Sequence, residues 1–140
     1  MTLPVLKIAG KRPYPPRVSE FTSTFWQGLS DGRFLSTRCA ACAMRSFPPK
    51  PFCPHCWSER IEWAPLAPQG TVYSSTVMHA VPAFFRHEAP YRVGIVDLDD
   101  RLRIATRLLG VEAGFAVGAR AEIVVLAYED GPLFAARVIS

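Results

Sequence analysis

The chain has 140 residues, 49% of them hydrophobic and 20% charged, a balance that supports one packed domain and excludes wholesale disorder. No stretch approaches the roughly 18 consecutive apolar residues of a membrane span, and residues 1–16 lack the apolar run of a secretion signal, so a cytoplasmic protein with no membrane partner is expected. The formal charge of +4 favours a polyanionic partner weakly, because four cysteines holding one zinc ion as thiolates would remove two net charges and leave +2.

In chain order, residues 1–20 carry four prolines (Pro4, Pro13, Pro15, Pro16) and no apolar periodicity. They read as an extended arm, either disordered or laid across a partner or neighbouring subunit. From Ser19, "SEFTSTFWQGLSDGRF" sets Phe21, Phe25, Trp26 and Leu29 at helical spacing, which predicts a helix over about 20–30. Ser19 is its candidate N-cap, and Gly28 or Gly32 lies near its end. The aromatic stripe suits core packing, with a binding surface as the alternative. "RFLSTRC" then reads as a short strand.

"CAACAMRSFPPKPFCPHC" holds every cysteine in the chain: Cys39, Cys42, Cys53 and Cys56. Two C-x-x-C turns supply four soft sulfurs, the ligand set of a closed structural zinc site, and Pro48, Pro49 and Pro51 stiffen the connection between them. One zinc ion per chain is expected. A second reading keeps Cys53-Pro54-His55-Cys56 as a dithiol redox motif, although that motif normally opens a helix after a strand. His55 is read as an exposed turn residue. Glycine often follows the second cysteine of such a turn, where φ is positive, but Ala43 and Trp57 stand there.

"RIEWAPLAPQG" is a strand followed by a Pro/Gly-marked connection. Beyond it, "TVYSSTVMHA", "YRVGIVDL", "RLRIATRLLG", "ARAEIVVLAYE" and "LFAARVIS" are five predicted strands. Asp99-Asp100 and Asp130-Gly131 are the expected tight turns after the second and fourth of these strands. The expected fold is therefore mainly β, in three parts. Residues 1–36 form an arm and helix, 37–66 a zinc ribbon, and 67–140 a five-stranded OB-fold barrel.

The blocks "FWQGLSDGRFLSTRCAAC", "FPPKPFCPHC", "EWAPLAPQGTVYSSTVMH", "APYRVGIVDLDD" and "VGARAEIVV" follow one another in an order and spacing that resembles a known family. Its members are acyl-CoA-associated OB-fold proteins with an N-terminal rubredoxin-like zinc ribbon, long grouped under a domain of unknown function. The resemblance runs from about Phe25 to the C-terminus, with Ala43 and Trp57 as its clearest departures. It implies a non-catalytic accessory or scaffold subunit of a thiolase-superfamily enzyme: an acyltransferase, a thiolase, or a lipid-transfer-like aldolase. Acyl-CoA itself is a candidate ligand of this subunit, and homodimer and hetero-oligomer are both open as its assembly.

Two surfaces are candidates for ligand or partner binding. In "RLRIATRLL", Arg101, Arg103 and Arg107 share one parity, so they are expected on one face of a strand, opposite Leu102, Ile104 and Leu108. That row is a solvated face, a contact for CoA phosphates, or a match for an acidic patch on a protein. The loop "AVPAFFRHEAPY" places Phe84, Phe85 and Arg86 where they either dock a partner or fold back over the barrel. His79 and His87 have no matched carboxylate in sequence and are read as surface residues. A single-stranded nucleic-acid module is the alternative function, although this arginine strand carries no stacking aromatics of its own.

Overall fold

The computed structural model describes residues 2–88, 90–110 and 117–139, apart from the side chain of Phe84. In chain order they form β1 (Val5–Lys7), α1 (Ser23–Ser30), β2 (Leu35–Cys39), β3 (Arg45–Ser46) and β4 (Ile61–Pro65). β5 (Gln69–Met78), a 3-10 turn (Ala83–Glu88), β6 (Tyr91–Leu98), β7 (Arg103–Leu109), β8 (Arg120–Tyr128) and β9 (Gly131–Val138) complete the set. Among the described residues no helix is long and apolar enough to cross a membrane.

The helix starts three residues later than its apolar spacing suggests. Ser19 and Thr22 satisfy each other first: the Ser19 N–H donates to Thr22 Oγ1 at 2.9 Å and the Thr22 N–H to Ser19 Oγ at 3.0 Å. That reciprocal pair is a capping box on the first turn, in which the Ser23 N–H donates to Ser19 O at 2.9 Å, so Ser19 caps as expected while the regular helix begins only after Thr22. The far end stops at Gly32, whose φ of +78° lets the Arg33 N–H reach Gly28 O at 2.7 Å and the Gly32 N–H reach Leu29 O at 3.0 Å.

β2 is the centre of a three-stranded antiparallel sheet ordered β3-β2-β4. Its buried hydroxyls are used: Ser36 Oγ donates to Ser46 O, and the Lys50 N–H donates to Thr37 Oγ1 at 3.1 Å.

The remaining strands close a barrel. β8, β5, β6, β7 and β9 pair in that order, with β7–β9 parallel, and the β8–β9 hairpin shuts the ring. This is the closed five-stranded OB-fold expected from the sequence. Alternate residues face inward, so Val72, Val96, Ile104, Leu108, Ile123 and Val125 fill the interior. Phe25 and Leu29 of α1 join that same core, together with Phe34 and Leu66. Gly94 of β6 allows the strands to approach closely, because a Cβ there would lie 2.6 Å from Ser74 O and 2.5 Å from Leu108 Cδ1. The β8–β9 turn is shifted by one from its expected position: Tyr128 pairs with Gly131, leaving Glu129 and Asp130 as the central residues.

The N-terminal arm lies on its own barrel, which corrects the expectation of a disordered or partner-bound segment. β5 occupies one edge of β8 only over Arg120–Glu122, and β1 pairs in parallel with Val125, Leu126 and Ala127 farther along. The Val125 N–H donates to Pro4 O at 2.9 Å and the Glu129 N–H to Gly10 O at 3.0 Å. Leu6 and Ile8 then cover Val124, Leu126 and Tyr128, a second apolar cluster outside the barrel. The arm ends in a latch, where the Arg12 N–H donates to Asp130 Oδ1 at 2.8 Å and its guanidinium donates to Asp130 O at 2.9 Å.

Candidate functional site

The ribbon brings all four cysteines to one point. Cys39 closes β2, and Cys53 lies in the proline-stiffened return segment; both are buried, whereas Cys42 and Cys56 are exposed. The four sulfurs lie within 4.8 Å of one another, with Cys39–Cys56 and Cys42–Cys53 each at 3.6 Å. A tetrahedron of sulfurs about 2.3 Å from a central zinc has edges of about 3.8 Å, so the arrangement fits one metal ion.

Both turns share one backbone design. The Ala43 N–H donates to Cys39 O at 2.9 Å and the Trp57 N–H donates to Cys53 O at 2.8 Å. Each closing residue is left-handed, Ala43 at φ +67° and Trp57 at φ +66°, the conformation for which glycine is the usual choice. Backbone donors point at the buried sulfurs: Ala41 and Cys42 at Cys39 Sγ (3.3 and 3.4 Å) and His55 at Cys53 Sγ (3.4 Å). His55 thus contributes its backbone rather than its ring, and its side chain is exposed.

These donors set the thiol chemistry. The Cys42 N–H, with that of Ala41, lowers the Cys39 thiol to about 6 against the opposing effect of burial. At Cys53 burial raises the pKa, but the N–H groups of Cys56 and His55 outweigh it, and the net shift is downward. The Met44 N–H lowers Cys42, yet burial and the neighbouring sulfurs push it up to about 12. Two thiols are lowered and two are raised, the pattern of four hydrogen-bonded sulfurs sharing one small site. A divalent cation fits that donor set. The redox alternative loses its structural basis, because no helix follows Cys56 and Cys53 approaches Cys42 across the site.

The second candidate region is the outer face of β5, β6 and β7. Arg103 and Arg107 stand on it, but Arg101 precedes β7 in the hairpin turn with φ +64°, so the expected row of three contains two. A strand's parity rule stops where the strand does. Arg103 donates to Asp97 at 2.6 and 3.2 Å and lies 3.9 Å above the Tyr73 ring. Arg107 pairs with Glu88 and lies 5.1 Å from the Tyr91 ring. The two clamps flank a groove of about 440 Å³ with Ser74, Thr76, Val93, Ile95 and Ala105 in its lining. Sequence reasoning missed both tyrosines, because they come from neighbouring strands and Tyr73 sits at a β-bulge that breaks the alternation of β5.

The 3-10 turn is tied to this face. Phe85 is half-buried and meets the Tyr91 ring at 5.8 Å, Arg86 is exposed, and the side chain of Phe84 lies outside the described residues. Glu88 anchors the turn by accepting from Arg107 and from the Tyr128 hydroxyl at 3.3 Å. Burial, with Glu88 beside it, holds the Tyr128 phenol above its ordinary value, so it remains a donor. His79 and His87 are both exposed; His87 Nε2 lies 3.6 Å from Glu88 Oε2.

Residues 26–62 match the family model for the rubredoxin-like zinc ribbon domain of ChsH2, and residues 63–126 match the model for the ChsH2 C-terminal OB-fold domain. The benzoylsuccinyl-CoA thiolase subunit BbsA of Thauera aromatica is 30% identical over 118 residues, covering 82% of this chain and 81% of that protein. A probable enoyl-CoA hydratase alpha subunit of Thermomonospora curvata is 36% identical over 98 residues; this is 69% of the present chain, which spans 30% of that relative's length. Among solved structures, the Ltp2-ChsH2(DUF35) aldolase superimposes with a TM-score of 0.75 at 31% identity, over 89% of this chain and 98% of that one.

Proposed function

Because the chain belongs to the ChsH2 family of zinc-ribbon and OB-fold proteins, we infer that it is a non-catalytic accessory subunit of a thiolase-like or aldolase-type acyl-CoA enzyme. The observation that carries this reading is the similarity to a thiolase subunit over both modules, 81% of that protein's length. The chain's own chemistry agrees with it. A metal held by four cysteines keeps no open position for water, so it organises the ribbon instead of activating a nucleophile. The metal is proposed to be zinc, which suits four thiolates in a tetrahedron.

The groove-bearing face, with Arg103, Arg107, Phe85 and Arg86, is the proposed contact for acyl-CoA or for acidic groups of the partner. Arg103 and Arg107 are each engaged by a carboxylate, Asp97 and Glu88, so an anion must compete for them. That competition disfavours the nucleic-acid alternative, which depends on cations available to many phosphates at once.

The test is an affinity pull-down of the tagged protein from its own source, with the captured proteins identified by mass spectrometry, repeated with nuclease and at higher salt. Recovery of a thiolase-like or aldolase-type enzyme in near-equal amount is the expected result. Recovery of nuclease-sensitive species only would overturn the reading. Metal analysis of the purified chain is expected to return one zinc per chain.

A further inference from the structure

Trp57 is costly to the isolated chain in two ways. It is 73% exposed, more than any other large apolar side chain described, and it occupies φ +66°, where glycine would be unstrained. The metal site does not require an indole there, since the backbone N–H of any residue other than proline makes the bond to Cys53 O. Nor does the core, because Trp57 belongs to neither apolar cluster. Its ring instead stacks on Phe52, centroids 5.5 Å apart and planes 10° from parallel, and Phe52 is itself 37% exposed. The result is a stacked aromatic blade on the surface of the ribbon.

The chemistry of its surroundings narrows what can cover it. Within residues 37–66, the cations Arg38, Arg45, Lys50 and Arg60 face the anions Glu59 and Glu62 and the double negative charge of a metal tetrathiolate, so the ribbon is close to neutral. Two of those cations are already engaged, Arg38 with Glu62 and Arg45 with Asp100. A polyanion gains little here. Exposed aromatic residues on a surface with no net charge suit the buried centre of a protein interface better than a polyanion site. The two rings expose roughly 250 Å² between them, taking 150–250 Å² for a whole aromatic side chain. That is about a third of the ~800 Å² each side of a stable interface buries, too little for a self-dimer built on this patch and enough for an anchor inside a larger contact.

We propose that the Phe52–Trp57 stack is an interface anchor that inserts into an apolar, uncharged recess on the enzyme subunit this protein accompanies. The proposal rests on the accessory-subunit reading and specifies the surface that serves it.

Trp57→Gly separates binding from folding, because glycine relieves the left-handed residue while removing the blade. With the thiolase-like enzyme recovered by the wild-type chain, calorimetry is expected to show affinity at least about 30-fold weaker for Trp57→Gly, with Trp57→Phe between the two. Metal content and melting temperature of Trp57→Gly are expected to match or exceed the wild type. Undiminished affinity overturns the anchor and leaves the accessory role standing, since the wild type still binds. A wild-type chain that captures no such enzyme overturns both. Loss of metal or a lowered melting temperature in Trp57→Gly makes the indole structural and overturns the anchor. Sedimentation showing wild-type self-association that the variant loses, with enzyme affinity unchanged, overturns it in favour of a second copy as the occupant.

Discussion

Replacing Phe25 with alanine tests whether helix, ribbon and barrel form one cooperative unit. Phe25 is 4% exposed, and its ring meets Trp26, Phe34, Phe47 and Phe134 at centroid distances of 4.9, 6.2, 5.8 and 6.0 Å. Those partners lie on the helix, before β2, just beyond β3, and on β9, so one side chain holds all three parts together. Removing about 200 Å² of buried aromatic surface at ~25 cal/mol per Å² costs about 5 kcal/mol, and core Phe→Ala changes run about 3–5 kcal/mol. A loss of about 4 kcal/mol is expected, a large share of the ~5–15 kcal/mol that holds a domain together. Urea unfolding should be followed by two probes, circular dichroism for the barrel strands and a chromogenic chelator for release of the ribbon's metal. Both transitions are expected to move together to lower urea, while Val18→Ala, at a 53% exposed position, stays within about 0.5 kcal/mol of wild type. Metal release that shifts while the barrel signal stays put would refute a shared core, as would a loss below about 1.5 kcal/mol.

Cys39→Ser or Cys56→Ser should lose the metal and lower the melting temperature, as should a strong chelator added to the wild type; metal-free protein of full thermal stability would contradict this. Arg107→Ala removes the ion pair that holds Glu88, so trypsin should cut after exposed Arg86 several-fold faster, and an unchanged rate would show the turn is held otherwise. The arm latch should depend on acid. The Arg12 N–H, with the Arg12 guanidinium nearby, holds the Asp130 carboxyl below its ordinary range, so the latch is fully stabilising above the unfolded value of about 3.9 and is lost as pH falls through the lower folded value. Amide exchange at Ile8 and Glu129, corrected for intrinsic rates, should therefore be flat from about pH 5 to 7 and rise below about pH 4.

The metal site was legible because its information is local. C-x-x-C spacing specifies a turn, and a missing glycine at 43 and 57 already marked the two left-handed residues. The barrel strands were legible through their β-branched and aromatic content. β8 showed no alternation because the barrel interior buries Ile123 and Val125 on one face while the arm helps bury Val124 and Leu126 on the other. What sequence could not reveal were relationships between distant strands. Parity placed Arg103 and Arg107 on one face but carried no information that Arg101 lies in the turn, and it could not supply Tyr73 or Tyr91 from the strands alongside. β1 is three residues long and pairs with a strand near the other end of the sequence, so no local pattern announces it.

That pairing has a consequence for how the protein is made. Arg12 and Asp130 are separated by 118 positions, so β8 leaves the ribosome long after β1. At about 5–20 residues per second, the arm waits on the order of ten seconds for its docking strand to exist. Over that interval it is an unpaired, partly apolar segment, and its prolines together with Lys7, Lys11 and Arg12 discourage pairing with the wrong neighbour. The nascent chain is thus most vulnerable once β8 has emerged with a bare edge and the arm is what must find it.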